Sequence, residues 1–536
     1  MIKQKRNCFV SESLVINPVR FNYYIFAAVM LKVMRFKVWV ATCLFIMGIG
    51  STSFAAGRAT KYIYDFNSRC KQAYQALISL RIAEGNELLR AELKENPNNL
   101  IPILLSNYDD CLTLLFNGDA KEYAKRKGNL DKRIDLLEQG DENSPWYKYS
   151  IGVLYFQWAA VRIRFNEYFS AGTEFRKSFL QLKDNRKKFP DFRYNQVVLG
   201  VEEAIVGTVP DSYKWISSML GMKGDVRKGT AQIVDFLSRK DGSTALMREE
   251  AIFYYCYLKF SLLSDHKSVW KYLDESVLDF RNNHLYAFMK ANFALNDNKA
   301  SVAEQVLRNR NQGSNYLEAP VFNYQMGIAL LQKLDNDCIG YFQKFLNRYT
   351  GKLFVKDAYQ KMSFYYLATG NRPQAMVYRS KIANAGTTQI DADKQAQRYA
   401  MNVVLPNSVL LKSRLLCDGG YFTQSLEPLK GLKASSFANI GDQLEFNYRY
   451  ARIFTLMGQA DKAIPFYEAT IRAGSSRQEH FAARSSLELG QIYELQGLKD
   501  KAITCYRSCL SMKNHDYKSS LDQKAKAGID RLGGNK

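Results

Sequence analysis

Proline and histidine are scarce in this sequence, at 11 and 4 of 536 residues. So little proline excludes a loop-rich, proline-stiffened chain and leaves helices free to run uninterrupted. The histidines, His266, His284, His480 and His515, form no HExxH pair and have no carboxylate at ligand spacing, so each is expected at the surface and no zinc centre is indicated. The nine cysteines stand at 8, 43, 70, 111, 256, 338, 417, 505 and 509, without a CxxC pair, which excludes both a zinc ribbon and a disulfide framework. Cys505 and Cys509 lie four apart on one face of an expected helix and read as two small packed side chains.

Catalytic signatures are missing too. There is no GxSxG elbow, and the segment GMKGD at 221–225 is followed by no GK[ST] and preceded by no strand, so it is neither a phosphate loop nor a dinucleotide fingerprint. The paired acids Glu202-Glu203 and Glu249-Glu250 would point about 100° apart on a helix and are expected in solvent. The chain therefore reads as a non-enzyme with no cofactor, no metal and no small-molecule substrate.

What is present is material for a helical core: 47% apolar residues, 24% charged, and 34 Tyr with 32 Phe. The formal charge is +23. Basic residues are scattered except for two runs, Lys125-Arg126-Lys127 with Lys132-Arg133 and Arg186-Lys187-Lys188 with Arg193, which read as solvated helix faces and not as a nucleic-acid site.

Residues 1–55 read as a leader. Lys32, Arg35 and Lys37 precede an apolar stretch at 38–49, and Ser53-Phe54-Ala55 follows as an A-x-A-like cleavage site, the order of a secretory signal peptide. Cleavage is expected after Ala55 or Ala56, with Met30 or Met34 as the natural start; it would remove six of the +23 charges and leave about +17. An uncleaved N-terminal membrane anchor is the alternative, weakened by Gly48, Gly50 and the Ser-Thr-Ser run. Cys43 has most of the apolar stretch after it, unlike a lipobox cysteine.

Beyond the leader a small residue recurs five positions before an Ala or Ser, with an aromatic or Leu four further on: Gly370/Ala375, Gly420/Ser425/Leu429, Gly458/Ala463/Tyr467 and Gly497/Ala502/Tyr506, with Asn298/Ala303/Leu307 upstream. The spacing implies repeats in the mid-thirties with short insertions. The last two copies, YARIFTLMGQADKAIPFYEATI and LGQIYELQGLKDKAITCYRSCL, resemble the tetratricopeptide repeat; Leu489, Gly490, Tyr493, Ala502 and Tyr506 match its signature. The resemblance implies an all-α solenoid of antiparallel helix pairs, in which Gly490 and Ala502 allow two helices to approach, Tyr493 and Tyr506 fill the adjoining groove, and Gly497 ends the first helix in a left-handed cap. The proline that usually closes the second helix is absent after both copies.

The expected organisation is a leader at 1–55, N-terminal helical repeats at 56–198, a glycine-rich helical insertion at 199–233, middle repeats at 234–348 and C-terminal tetratricopeptide-type repeats at 349–536. The 199–233 segment, with Gly200, Gly207, Gly221, Gly224 and Gly229, loosely resembles a stretch of the inclusion-body-clearance family of tetratricopeptide proteins. Function is expected to be that of an exported scaffold in a bacterial cell envelope, periplasmic or associated with the outer membrane. Its partner would be another protein, acidic in character, with peripheral membrane association and no nucleic acid. A SusD-like glycan-capture protein is the competing reading, opposed by the weak lipobox, the few prolines and only five Trp.

Overall fold

The computed structural model describes residues 61–209 and 214–534. The expected leader with its cleavage site, Cys8 and Cys43 lie outside the described residues. About two thirds of the described residues are in α-helix. The β pairing among them is a single isolated parallel bridge between Ile63 and Asn99. The fold is all-α, as expected, and consecutive helices pack as antiparallel pairs.

One local device builds most of the pairs. Between the two helices of a hairpin, one residue takes the left-handed conformation, and the chain leaves it already turned for the return helix. This position is Leu80, Gly118, Asn166, Ser264, Asn298, Leu334, Gly370, Gly420, Gly458 and Gly497 in turn, with φ between 52° and 87°. The second helix starts two residues later in every case except after Leu334, where it starts at Asp337. Glycine adopts this conformation without penalty; Leu80 and Leu334 adopt it against a cost of roughly 1–2 kcal/mol, so their packing must hold them there. Leu80 is fully buried.

A second regularity sits inside seven of these ten hairpins. Residues twelve apart face each other at the helix crossing and are buried: Ala73 and Gly85, Ala159 and Ala171, Ala291 and Ala303, Ser363 and Ala375, Ser413 and Ser425, Ala451 and Ala463, Gly490 and Ala502. Small side chains there let backbones close in, and the hydroxyls of Ser363 and Ser413 donate across the crossing to the carbonyls of Ala375 and Ser425, both at 2.8 Å.

The 199–233 stretch contains most of another pair. Helices Asn195–Val206 and Val226–Ser238 pack against each other. They cross at Gly200 and Gly229, where a methyl group on Gly200 would lie 2.9 Å from the carbonyl oxygen of Gly229. Glycine is required here by backbone approach and not by φ. The left-handed turn is replaced by a long connection containing Gly221 at φ 80°.

The hairpins do not form one open array. From Cys70 to Leu415 most buried side chains make one continuous core, with Leu353, Ile390 and Ala392 in a small cluster beside it, and the chain folds back on itself. The first hairpin turn docks on residues far along the chain: Leu317 N donates to Leu80 O at 2.7 Å, His284 N to Ser79 O at 3.2 Å and Ala83 N to Asn315 O at 3.3 Å. Gln389 reaches Ile163 O at 3.2 Å, and Arg164 bonds the Tyr349 hydroxyl. Only the C-terminal hairpins have small, successive cores, each shared with the next. Stacking of hairpin on hairpin with separate cores is therefore found after Asn407, where the first hairpin still joins the large core through Leu411 and Leu415.

Candidate protein-binding array

The C-terminal array comprises the hairpins Ser408–Asp418 with Phe422–Leu426, Ile440–Leu456 with Ala460–Gly474, and Phe481–Leu495 with Lys499–Ser511, closed by a last helix, Lys518–Arg531. Asn407 and Asn439 cap the first helices of two pairs, accepting from Leu410 N and Asp442 N, and this fixes where each helix begins.

The sequence-marked positions occupy the places that make these hairpins. Gly370, Gly420, Gly458 and Gly497 are the left-handed turns, at φ 87°, 87°, 75° and 78°. Ala375, Ser425, Ala463 and Ala502 are buried at the crossings, and Tyr467 and Tyr506 are buried beside them. Gly490 lies against Tyr506, its absent methyl 2.7 Å from the ring, and Tyr493 is half-buried between two successive small cores with Lys501 above its ring at 5.5 Å. Gly528 on the last helix meets the other side of Tyr506 and is not marked by the sequence pattern, because it belongs to a helix outside the repeat unit.

Where successive first helices meet, charge is buried. The Glu488 carboxylate accepts from Tyr467 at 2.6 Å, Arg484 at 3.0 Å, Tyr448 at 3.1 Å and Arg452 at 3.3 Å. Burial alone would raise its pKa, but Arg452, Arg484 and the Tyr467 hydroxyl outweigh that and hold the carboxyl below its ordinary range. Arg449 pairs with Glu445 at 2.8 Å on the same seam. These groups fix the angle between neighbouring hairpins. Three of these donors meet Oε1 of Glu488 and the Tyr467 hydroxyl meets Oε2.

The histidines and paired acids depart from expectation. His266, His284 and His515 are buried, and the rings of His266 and His284 find partners inside. His266 Nδ1 meets Asp297 at 2.6 Å, an acid that also accepts from Trp270 at 2.6 Å. His284 donates from Nε2 to Asn311 O at 2.9 Å and stacks on Tyr316; burial, then the charge of Arg310, pushes its pKa down to about 3, so the ring is neutral. Glu250 is buried among the hydroxyls of Tyr74, Tyr108 and Tyr254, and its pKa is raised by burial. Glu202 is buried too, and burial lifts its pKa well above the usual carboxylate range. Spacing along one helix could not reveal these partners, which come from helices more than 100 residues away in the case of Glu250.

All seven cysteines among the described residues are free, and Cys505 and Cys509 do not bridge. No three His, Cys, Asp or Glu side chains among the described residues converge to hold a metal ion. None of the described helices is long and apolar enough to cross a membrane. The array carries exposed cations on its second helices, among them Lys462, Arg472, Lys501 and Arg507.

The sequence model of the tetratricopeptide repeat family matches residues 483–516, the last complete hairpin and the turn after it. No curated protein matches the chain. The match falls on the hairpin whose Gly490, Ala502 and Tyr506 make a close crossing, and the same twelve-residue register runs back through the preceding pairs to Ala73 and Gly85.

Proposed function

We propose that the chain is a non-enzymatic scaffold that binds another protein through its C-terminal array. The observation that carries this is a change in construction along the chain: hairpins before Asn407 are consumed in one folded-back core, the hairpin from Ser408 is still anchored in it through Leu411, Leu415 and the Asn298 bonds to Cys417 O and Asp418 O, and the two after it stack neighbour on neighbour and include the tetratricopeptide repeat match. Such stacks exist to offer surface, because each hairpin adds a new strip of side chains at fixed spacing. The excess of cations on helix Lys499–Ser511, where Lys499, Lys501 and Arg507 outnumber Asp500, favours an acidic partner, steering its approach more than setting its identity. The leader pattern of residues 1–55 supports export to the cell envelope, in the periplasm or at the outer membrane.

The test is crosslinking in cell-envelope extracts followed by affinity capture with the wild-type chain and with a Lys462→Glu/Lys501→Glu/Arg507→Glu variant. A discrete protein partner, recovered less well by the variant, is expected. Retention on a glycan resin without any protein partner contradicts the proposal and favours the SusD-like alternative.

A further inference from the structure

We propose that residues 401–404, at the tip of the loop joining helix Asp391–Met401 to helix Ser408–Asp418, dock this protein on an anionic lipid bilayer. Met401, Val403 and Val404 lie outside the array assigned to protein binding, whose first helix supplies only Lys412 to the flank, and the proposal does not depend on that assignment.

Three large apolar side chains stand free at the tip: Met401 is 74% exposed, Val403 93% and Val404 65%. Isolated exposed apolar residues are ordinary, but three within four positions are a patch. Their exposure is held in place. The guanidinium of Arg379 donates to the carbonyls of Tyr399, at 3.2 Å, Ala400, at 3.2 Å, and Asn402, so one side chain clamps the loop base. Leu405 packs against the core just behind the tip, and Pro406 stiffens the exit. Met376, itself 40% exposed, lies with its sulfur 3.9 Å from the same guanidinium and extends the apolar surface onto helix Arg372–Ile382.

Charge identifies the occupant. Residues 372–383 and 394–417 hold no Asp or Glu; the acids of the two helices that flank the tip stand at their far ends, Asp391 paired with Lys394 at 3.0 Å, Asp393 buried, and Asp418 paired with Arg414 at 3.8 Å. Those same stretches hold Arg372, Lys381, Arg398 and Lys412, all exposed. Asp442, which meets Asn407 at the foot of the loop, is half-buried and accepts from the Asn439 amide at 2.7 Å. An exposed apolar tip carried and flanked by cationic stretches fits a deformable anionic surface, where side chains enter the acyl boundary while Arg and Lys meet headgroup phosphates. A protein partner would need to supply a matching pocket and acids around it. A bilayer supplies both at any point on its surface.

The experiment uses the full chain and vesicles holding about 30% phosphatidylglycerol in phosphatidylcholine, with pure phosphatidylcholine as the neutral control. Because the leader can itself meet lipid, the readout is local: Val403→Trp is compared with wild type for quenching by lipids brominated along the acyl chain. Extra quenching on anionic vesicles, lost at about 0.5 M salt, is expected. In co-sedimentation, Val403→Asp/Val404→Asp and, separately, Arg398→Glu/Lys412→Glu are expected to lower the partition coefficient by roughly ten-fold with unchanged thermal melting. No extra quenching in the Val403→Trp variant, or equal sedimentation of wild type and both charge-altered variants, overturns the proposal. So does loss of a captured protein partner in the Val403→Asp/Val404→Asp variant without any vesicle binding by the wild type, which would make the tip a protein contact.

Discussion

The ring of Tyr506 is clamped between two glycines from different helices, Gly490 and Gly528: a methyl group on either would stand 2.7 or 2.5 Å from a ring carbon. Its hydroxyl donates to Glu494 at 2.5 Å, and Glu494 is held in turn by Arg531 on the closing helix at 2.9 Å. One aromatic side chain thus joins the last repeat to its cap. Gly490→Ala and Gly528→Ala should each overpack this contact and cost about 1–3 kcal/mol, read as a lower melting temperature. Ala463→Leu and Ala502→Leu should cost a similar amount, about 1–3 kcal/mol, because both residues are fully buried at crossings. Wild-type melting in all four variants would show that the crossings are not close.

The left-handed turns predict changes of opposite sign. Ser264 is exposed at φ 52°, a conformation that costs an L-residue energy and glycine none. Ser264→Gly should raise stability by about 0.5–1 kcal/mol, whereas Gly458→Val, at φ 75°, should lower it by about 1–2 kcal/mol. Denaturant titration measures both, and equal midpoints would contradict the turn assignment.

Asp393 predicts a particular pH response. Burial, then the neighbouring charge of Asp357, pushes its pKa up to about 7, although the backbone N–H groups of Phe354, at 2.7 Å, and Asp357, at 3.1 Å, donate to it. The folded protein holds this proton more tightly than the unfolded chain, whose carboxyl ionises near pH 4. The stabilising contribution is therefore full below pH 4, falls as pH rises toward 7 and is level above. Glu174, pushed up to about 7 by burial against the opposing pull of Arg162, acts in the same direction. Asp393→Asn should flatten the decline in melting temperature between about pH 4 and 7. An unchanged slope would place the carboxyl in solvent contact.

Export is read directly from the mature N-terminus. Edman sequencing should begin at Ala56 or Gly57. A mature chain beginning at Met30 or Met34 would instead identify the retained anchor.

The repeat is legible where glycine marks the turn and obscure where another residue does the same work. Gly370, Gly420, Gly458 and Gly497 announce the left-handed position, but Leu80, Asn166, Ser264 and Leu334 occupy it without any compositional signal, so the N-terminal hairpins can be placed only by period. The twelve-residue crossing register is equally hidden, since Ala73, Ala159 and Ser363 are ordinary helix residues until a partner helix is brought against them. The folding back of the chain is not legible either. It rests on backbone bonds such as Leu317 N to Leu80 O, which any residue type could make. Buried Glu250 and His266 escape a surface reading for the same reason: a polar residue enters a core when distant partners complete its hydrogen bonds, and a linear pattern does not contain them.

Binding of a protein through the array after Asn407 is tested most directly by mass-spectrometric mapping of lysine crosslinks between the wild-type chain and its captured partner. Crosslinks concentrated at Lys462, Lys499, Lys501 and neighbouring lysines of the stacked hairpins are expected, and they should weaken when Lys462 and Lys501 are reversed to Glu. Crosslinks confined to the folded-back core between residues 61 and 400 would contradict the assignment.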